Sequence, residues 1–377
     1  MDLPESHSIN QRAGSCNRRI AILANSDVSF GGGERILGMI IDQLRKYGNE
    51  IYLYSYSEQW RDERKRFNKL RILKEVPVLG HKYKSYKELT RILKEDRPEC
   101  LLCFSLAFGE VAVWAARSAG VPYLTSERCD PWRFPVPGKE SVHRWLRLVT
   151  FRMADGIVFQ TPQVRDYFPK SISRHSRVIP NPVIDDSLPD PNPSPEKTII
   201  SAGRFTDQKR HDILIDAFAS LPEGHGYKLK IYGQGPLKGE LEAQIKRLGL
   251  TESVLLMGQA RRMVDNLGEA DIFVLPSDHE GMPNALIEGM AMGLACISTD
   301  FASGGASRLI RHGENGLLVP TGDRQALAEA MNFLISNPHL KERLRREAVK
   351  IRETHSKEKI IPQWIDYIGE LSDKARH

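Results

Sequence analysis

Two glutamates, Glu280 and Glu288, stand eight residues apart in the run EGMPNALIEGMAMG (280–293), divided by Pro283 and trailed by Gly289 and Gly293. Paired carboxylates either do acid–base work on one bond or accept hydrogen bonds from hydroxyl groups. In a retaining glycoside hydrolase the two carboxyl groups flank one bond about 5 Å apart. Here Pro283 suits a first helical turn, and the helical stretch behind it, rising about 1.5 Å per residue, spreads the pair too far for that. Two hydroxyl acceptors, one per sugar ring, fit better; a helix cap plus a surface Glu is the plainer alternative for the motif standing alone. Asn284 and Glu288 fall on one helix face as i,i+4 neighbours, with Leu286 and Met290 on another. Gly289 and Gly293 each cost about 1 kcal/mol inside a helix, so they predict close packing of that helix on a sheet. A second charged constellation lies upstream in SAGRFTDQKR (201–210), where Arg204 and Lys209 flank a turn that leads into the helical pattern HDILIDAFASL. Two fixed cations at a strand end suit a diphosphate.

The glycine-rich loops are candidates for the same ligand. NSDVSFGGGERILG places Gly31 and Gly33 as the start of a GxGxxG pattern, but its third position is Ile36, and the next strand ends in Ser55–Ser57 without an acid. GQGPLKG (233–239) likewise has Lys238 at the third position. Neither is a dinucleotide fingerprint. Both loops are either tight strand-to-helix turns or places where backbone N–H groups approach a phosphate or sugar. The five cysteines (16, 100, 103, 129, 296) are odd in number and scattered, and the CxxC of Cys100 and Cys103 has no second pair to complete a zinc site. Buried thiols are expected, with no bound metal and no cofactor other than substrate.

Elements must hold these residues in place, and their order is legible. Short β-branched and aromatic runs alternate with longer helical patterns throughout the 377 residues, the signature of parallel sheets made from βαβ units. Strands are expected at 18–25, 50–57, 99–105, 122–127, 156–161 and 176–181, and again at 198–204, 228–233, 253–258, 271–276, 295–299 and 315–320. Between the two sets the proline-rich run 180–197 cannot continue a sheet interior. The predicted fold class is therefore α/β, with two tandem doubly wound, Rossmann-like domains facing across a cleft. Its parts are a disordered tail at 1–17, an N-terminal domain at 18–182, a linker at 183–197, a C-terminal domain at 198–355, and a helix at 356–377 crossing back to the first domain. Ligands in such sheets bind at the carboxyl ends of the strands.

Taken together, SFGGGERIL, SAGRFTDQKR, YGQGP, DIFVLPSDHEGMPNALIEGMAMG and SGGASRLIRHGENGLLVP, in this order, closely resemble the family-four retaining glycosyltransferases of the GT-B fold. The resemblance runs from about residue 18 nearly to the end. It implies that Arg204 and Lys209 hold the diphosphate of a nucleotide-sugar donor, that Glu280 binds donor-sugar hydroxyls and that Glu288 binds the ribose. Gly32, Gly33, Gly203, Gly233, Gly281, Met282, Pro283 and Asn284 would complete the donor site, with Gly304 to Ala306 adding phosphate and sugar contacts. Gly31, Glu127 and Arg128 would face the acceptor. Family members commonly carry His where SERCDP (126–131) carries Arg128, and Pro or Thr-Pro where Leu294 follows Gly293. The implied reaction moves a hexose or N-acetylhexosamine, most simply from a UDP-sugar, onto a glycan or polyprenyl-linked acceptor of bacterial surface polysaccharide, with retention and without metal. A non-catalytic nucleotide-sugar or glycan-binding protein is the alternative.

Composition excludes other classes. With 41% hydrophobic and 27% charged residues the chain is globular rather than disordered or fibrous. The most apolar window, LLCFSLAFGEVAVWAA (101–116), contains Ser105 and Glu110 and is shorter than the ~20 residues of a membrane span. No secretory leader is visible, which predicts a cytoplasmic address. The net charge is +6 and the basic excess lies in the first half, in WRDERKRFNKLRILK (60–74) and HRWLRLVTFRM (143–153). No nucleic-acid motif accompanies it. Arg144, Arg147 and Arg152 alternate with Trp145, Leu148, Val149 and Phe151, a face either solvated or laid on the anionic inner surface of the cell membrane.

Overall fold

A computed structural model describes residues 17–24, 32–56, 64–73, 82–104, 109–133, 139–184, 188–190, 197–260 and 262–374. The chain divides into two compact units, Met1–Pro182 with Lys357–His377, and Val183–Ser356.

Among the described residues the first unit holds seven strands: β1 (Arg19–Ala24), β2 (Glu50–Ser55), β3 (Lys69–Ile72), β4 (Cys100–Cys103), β5 (Tyr123–Glu127), β6 (Gly156–Phe159) and β7 (Ser176–Val178). All pair in parallel, in the order β3-β2-β1-β4-β5-β6-β7. The central strands are buried on both faces, as parallel sheets require, and so read as apolar runs such as Ile20–Leu23 and Cys100–Cys103. Helices α1 (Gly32–Lys46), α2 (Lys82–Asp96), α3 (Gly109–Ala119) and α4 (Lys139–Met153) make crossovers. The C-terminal helix Lys357–Lys374 packs on α1 and β4. It buries Trp364 completely, and its Tyr367 hydroxyl donates to the His175 carbonyl at 2.6 Å.

One element departs from the sequence reading. Within the basic run 60–74, where no strand is expected, a single turn at Arg64–Arg66 leads into the edge strand β3. Lys69 and Arg71 alternate with Leu70 and Ile72, the period of a strand. Both cations turn to the buried carboxylate of Asp96, Arg71 Nη2 at 2.7 Å, while the Tyr54 hydroxyl donates to it at 3.0 Å. Two cations of the run thus serve one buried acid, while Arg66 pairs with Asp42 at 2.8 Å.

In the second unit the described strands are β8 (Thr198–Ala202), β9 (Lys228–Tyr232), β10 (Val254–Gly258), β11 (Ile272–Leu275), β12 (Ala295–Thr299) and β13 (Leu317–Val319). They are again parallel, in the order β10-β9-β8-β11-β12-β13. The helices are α5 (His211–Ala219), α6 (Lys238–Arg247), α7 (Asn284–Ala291), α8 (Arg324–Ser336) and α9 (Pro338–Ala348). In each sheet the order reverses once, between β1 and β4 and between β8 and β11. Those reversals are the switch points where doubly wound sheets take ligands. Val183 opens the second unit, its N–H donating to the His355 carbonyl at 2.7 Å, and Arg352 donates to the Pro189 carbonyl at 2.6 Å.

The two glycines of EGMAMG have different reasons. A Cβ at Gly289 would stand 2.8 Å from Phe273 Cγ on β11, so α7 lies close on the sheet as its sequence predicts. Gly293, expected inside the same helix, lies beyond its end at φ 70. Gly293 N–H bonds the Met290 carbonyl and Leu294 N–H bonds the Gly289 carbonyl, a Schellman stop that needs a left-handed residue.

Candidate active site

Adjacent strands β8 and β11 end at the switch point of the second sheet, and their loops carry the charged residues. The β8 loop runs through Gly203, Arg204 and a single turn at Asp207–Lys209 before α5; the β11 loop runs through Ser277 to Glu280 before α7. Lys209 Nζ and Glu280 Oε1 form an ion pair between the loops, and the buried Ser277 hydroxyl donates to the same oxygen at 2.9 Å. The loops are also sewn together by backbone: Asp278 N–H donates to the Gln208 carbonyl at 2.9 Å and Gln208 Nε2 to the His279 carbonyl at 2.7 Å. Arg210 adopts φ 47, rare for a residue with a side chain, and is held there by Asp278 at 3.0 Å and Asp212 at 3.1 Å. These carboxylates, Asp212 first, push the Arg210 pKa up.

The glycines explain how the loops come so close. A Cβ at Gly203 would stand 2.9 Å from Lys209 Cδ, so Gly203 leaves the track along which the lysine stem runs. A Cβ at Gly233 would stand 1.9 Å from the Gly203 carbonyl oxygen. Beneath them His211 is buried, with Nε2 3.4 Å from the Gly203 carbonyl. Burial pushes its pKa down to about 4, so it stands neutral at pH 7. Arg204, by contrast, is exposed and makes no ion pair or side-chain hydrogen bond with other described residues.

On the other side Pro283 takes the cap position just ahead of α7 rather than a place in its first turn. Met282 and Glu288 are each 4% exposed, and Asn284 is half-buried. A Cβ at Gly305 would stand 1.9 Å from the Gly281 carbonyl oxygen, which also accepts from the Ser303 hydroxyl at 3.1 Å. Gly304 takes φ 70 in that turn and Ala306 is fully buried. The glycine pair of SGGAS thus seats its loop against the start of α7.

In the first unit Gly31 lies outside the described residues, and Gly32 and Gly33 open α1. A Cβ at Gly33 would meet Phe104 only at ordinary contact distance, 3.8 Å. Glu127, at the end of β5, is 2% exposed and pairs with Arg147 at 3.0 Å. Burial pushes its carboxyl up, against the pull of Arg147. Arg147 therefore serves a buried carboxylate rather than the outward basic face expected of 143–153; Arg152 and Trp145 do remain exposed. Arg128 Nη2 donates to Asn181 Oδ1 at 2.8 Å and its guanidinium lies 4.6 Å over the Phe104 ring. Cys100 and Cys103 are free and buried.

The sequence reading missed Gln208, Asp278 and Arg210, which join the two loops, and Ser277, which fixes Glu280 from within its own loop. Nothing local marks the ties between loops: each is set by strand adjacency between segments some 70 residues apart.

Residues 30–187 match the model of "Glycosyltransferase Family 4", and residues 186–351 that of "Glycosyl transferases group 1". The chain belongs to the family-four glycosyltransferases of the GT-B fold. Over 373 residues, 96% of each chain, this glycosyltransferase is 24% identical to GalNAc-alpha-(1->4)-GalNAc-alpha-(1->3)-diNAcBac-PP-undecaprenol alpha-1,4-N-acetyl-D-galactosaminyltransferase of Campylobacter jejuni. It is 33% identical over 222 residues to an exopolysaccharide phosphotransferase of Streptomyces coelicolor, a match that takes in 58% of this chain but only 23% of that protein. Its fold is that of HepE from Anabaena in complex with UDP and glucose, with TM-score 0.80 at 18% identity, covering 94% of this chain and all of that one, 100%.

Proposed function

We propose that this glycosyltransferase moves a hexose or N-acetylhexosamine from a UDP-sugar to a saccharide hydroxyl on a lipid-linked or cell-surface glycan, with retention at the anomeric carbon. The carrying observation is the Lys209–Glu280 pair across the β8/β11 switch point, with exposed Arg204 beside it. An ammonium has three donors, so Lys209 holds Glu280 with one and offers the others to a phosphate oxygen. Arg204 adds a planar fork for the second phosphate. Glu280, its Oε1 fixed by Ser277 and Lys209, presents its other oxygen to sugar hydroxyls, and Glu288 on α7 takes the ribose.

In the reaction the acceptor oxygen bonds to the anomeric carbon as the bond to the diphosphate oxygen breaks. The electron pair leaves with the diphosphate, and the acceptor proton ends on it. The developing negative charge is the main quantity to stabilise, and fixed cations in a preorganised site do so without reorganisation. Activity is accordingly expected to survive excess EDTA.

The lipid-linked acceptor is supported by the Campylobacter relative, whose name specifies an undecaprenol diphosphate substrate. Peripheral membrane contact is supported by the surface of the first unit, where Tyr83, Trp114 and Trp145 are 64%, 52% and 62% exposed among cations on α2, α3 and α4. Among the described residues no helix is long and apolar enough to cross a membrane. UDP titration tests the site: Glu288→Ala is expected to weaken UDP about 10-fold, the scale of one hydrogen bond to a charged group, while Glu280→Ala weakens only the sugar-dependent part. Equal losses for UDP sink the division of roles. Proton NMR of the product decides retention, since an inverted anomer contradicts it.

A further inference from the structure

At the carboxyl end of β5, Arg128 holds a half-buried guanidinium whose hydrogen-bond and ring partners among the described residues are neutral. Its central carbon lies over the ring of Phe104, itself 6% exposed, and one N–H donates to Asn181 Oδ1. That oxygen also accepts from Gln160 Nε2 at 2.8 Å, so two donors fix it and Asn181 is 1% exposed. The nearest acid in sequence, Glu127, is turned away: one oxygen takes the Cys129 N–H at 3.0 Å and the other takes Arg147. Among the described residues no carboxylate lies within ion-pair distance of Arg128. Guanidinium carries five donors in a rigid fork, and the described residues engage one. Glu34 and Glu127 lend Arg128 their field without pairing with it, and a cation buried without a direct partner is costly unless a ligand supplies one. Burial outweighs those charges and pushes its pKa down, to about 10, so it remains charged at neutral pH.

We propose that Arg128 is the centre of an oxyanion subsite in the first unit, taking a carboxylate or phosphate oxygen carried by a substrate of the transferase. The inference rests on the glycosyltransferase reading above and names the chemistry one of its substrates must bear. Phe104 and Asn181 act as positioning residues: the ring fixes the plane of the fork and the amide its rotation. The oxyanion has two sources on the acceptor, the carboxylate of a uronic acid residue or the diphosphate of a polyprenyl carrier.

The experiment uses the full chain with two ligand pairs. A saccharide acceptor ending in glucuronic acid is compared with one ending in glucose, and an undecaprenyl-diphosphate-linked saccharide with the methyl glycoside of the same sugar, both by KM. Arg128→Met is expected to lower preference for the charged member of one pair by about 10- to 100-fold, the loss of one charge-assisted contact, and the pair affected identifies the source. UDP alone reports the second unit and serves as control. Asn181→Asp keeps both hydrogen bonds and sets a carboxylate on the fork, so it is expected to give the same loss with Arg128 still in place, even if Arg128→Met folds poorly. Unchanged preferences in Asn181→Asp overturn the subsite, and so do equal losses for charged and neutral members, which mark a structural clamp. If the native chain fails to bind UDP at all, the transferase reading falls instead.

Discussion

The two units share one topology and solve one problem differently. Each sheet reverses its strand order once, and each buries an aspartate just ahead of the strand that follows the reversal: Asp96 before β4 and Asp271 at the start of β11. Each aspartate accepts from a tyrosine, Tyr54 at 3.0 Å and Tyr227 at 3.0 Å, and is paired with a lysine and an arginine. In the first unit those cations come from the edge strand β3, with Lys69 41% and Arg71 26% exposed. In the second they come from one face of α9, with Lys341 13% and Arg345 7% exposed. Arg345 also donates to the Gly293 carbonyl at 2.8 Å, so this network reaches the end of the helix that carries Glu288. The same device is peripheral in one unit and internal in the other, because the cations come from an edge in one case and from a packed helix in the other.

Removing the acids separates the two. Breaking a buried ion network costs about 3–5 kcal/mol when the partners are left dry. Asp271→Ala is expected to reach that range, whereas Asp96→Ala is expected to cost about half as much, since Lys69 and Arg71 can swing to water. Urea unfolding of both variants measures it. Equal costs would show that exposure of the cations does not set the penalty.

At the switch points the contrast is chemical. The second unit gathers Lys209, Glu280, Arg210 and Asp278 at its switch point with Arg204 exposed in the same loop, while the first offers Arg128, whose direct partners among the described residues are Asn181 and Phe104. Lys209→Ala and Arg204→Ala are each expected to lower turnover by on the order of 10²-fold or more, the scale of losing one charge-stabilising group. The melting temperature should hold for Arg204→Ala, which removes no ion pair or side-chain hydrogen bond among the described residues, and fall slightly for Lys209→Ala, which leaves Glu280 without its cation. Near-normal turnover in either variant refutes the diphosphate assignment.

Legibility followed the same divide. The strands of the second unit are mostly apolar runs between glycine- and proline-marked turns, with KLKIY of β9 the alternating exception, and all six stand where the sequence pattern puts them. The first unit hid β3 because Lys69 and Arg71 look like solvent-facing charge, and only the fold shows that Asp96, 27 and 25 residues away, takes both. Glu280, Glu288, Arg204 and Lys209 were readable as a set from motif order. The Arg210–Asp278 tie was not, since no local spacing encodes a contact between two loops that strand adjacency alone brings together.

Acid should expose the asymmetry on a smaller scale. Burial pushes the pKa values of His211 and His355 in the second unit down to about 4 from an ordinary 6.5. The unfolded chain then binds protons that the fold does not, so this stability is complete above pH 6.5 and is lost progressively as pH falls toward 4. The shift of His211 corresponds to a few kcal/mol at most, on the order of 1–3. Burial also raises the Asp96 pKa, but hydrogen bonds from Arg71, Lys69 and Tyr54 outweigh it and hold the carboxyl below 3.8. Its contribution persists until pH falls below that value. Proteolysis at pH 5 is thus expected to nick the second unit first, and His211→Asn should delay it. Earlier cleavage in the first unit would reverse the comparison.

The smallest effects belong to the surfaces. Among the described residues the first unit exposes Tyr83, Trp114, Trp132 and Trp145, whereas the second exposes Leu248, Met257 and Phe333 and no tryptophan. Tryptophan and tyrosine favour the headgroup region, where an apolar ring and a polar edge are both satisfied. Around them stand Lys87, whose ammonium lies 4.5 Å over the Tyr83 ring, with Lys94 and Arg117 exposed on α2 and α3, helices that the Tyr86–Ser118 hydrogen bond ties together. Each such cation is worth up to about 1 kcal/mol at an anionic surface, screened over roughly 8 Å at physiological salt. Sedimentation with phosphatidylglycerol vesicles, and not with neutral ones, is therefore expected at low salt. Reversing Lys87, Lys94 and Arg117 to Glu should weaken it by several-fold per charge, while reversing Lys246 and Arg247, exposed on α6 of the second unit, should leave it unchanged. If the α6 reversals release the protein as strongly, the contact follows net charge alone and the aromatic-basic face of the first unit has no part in it.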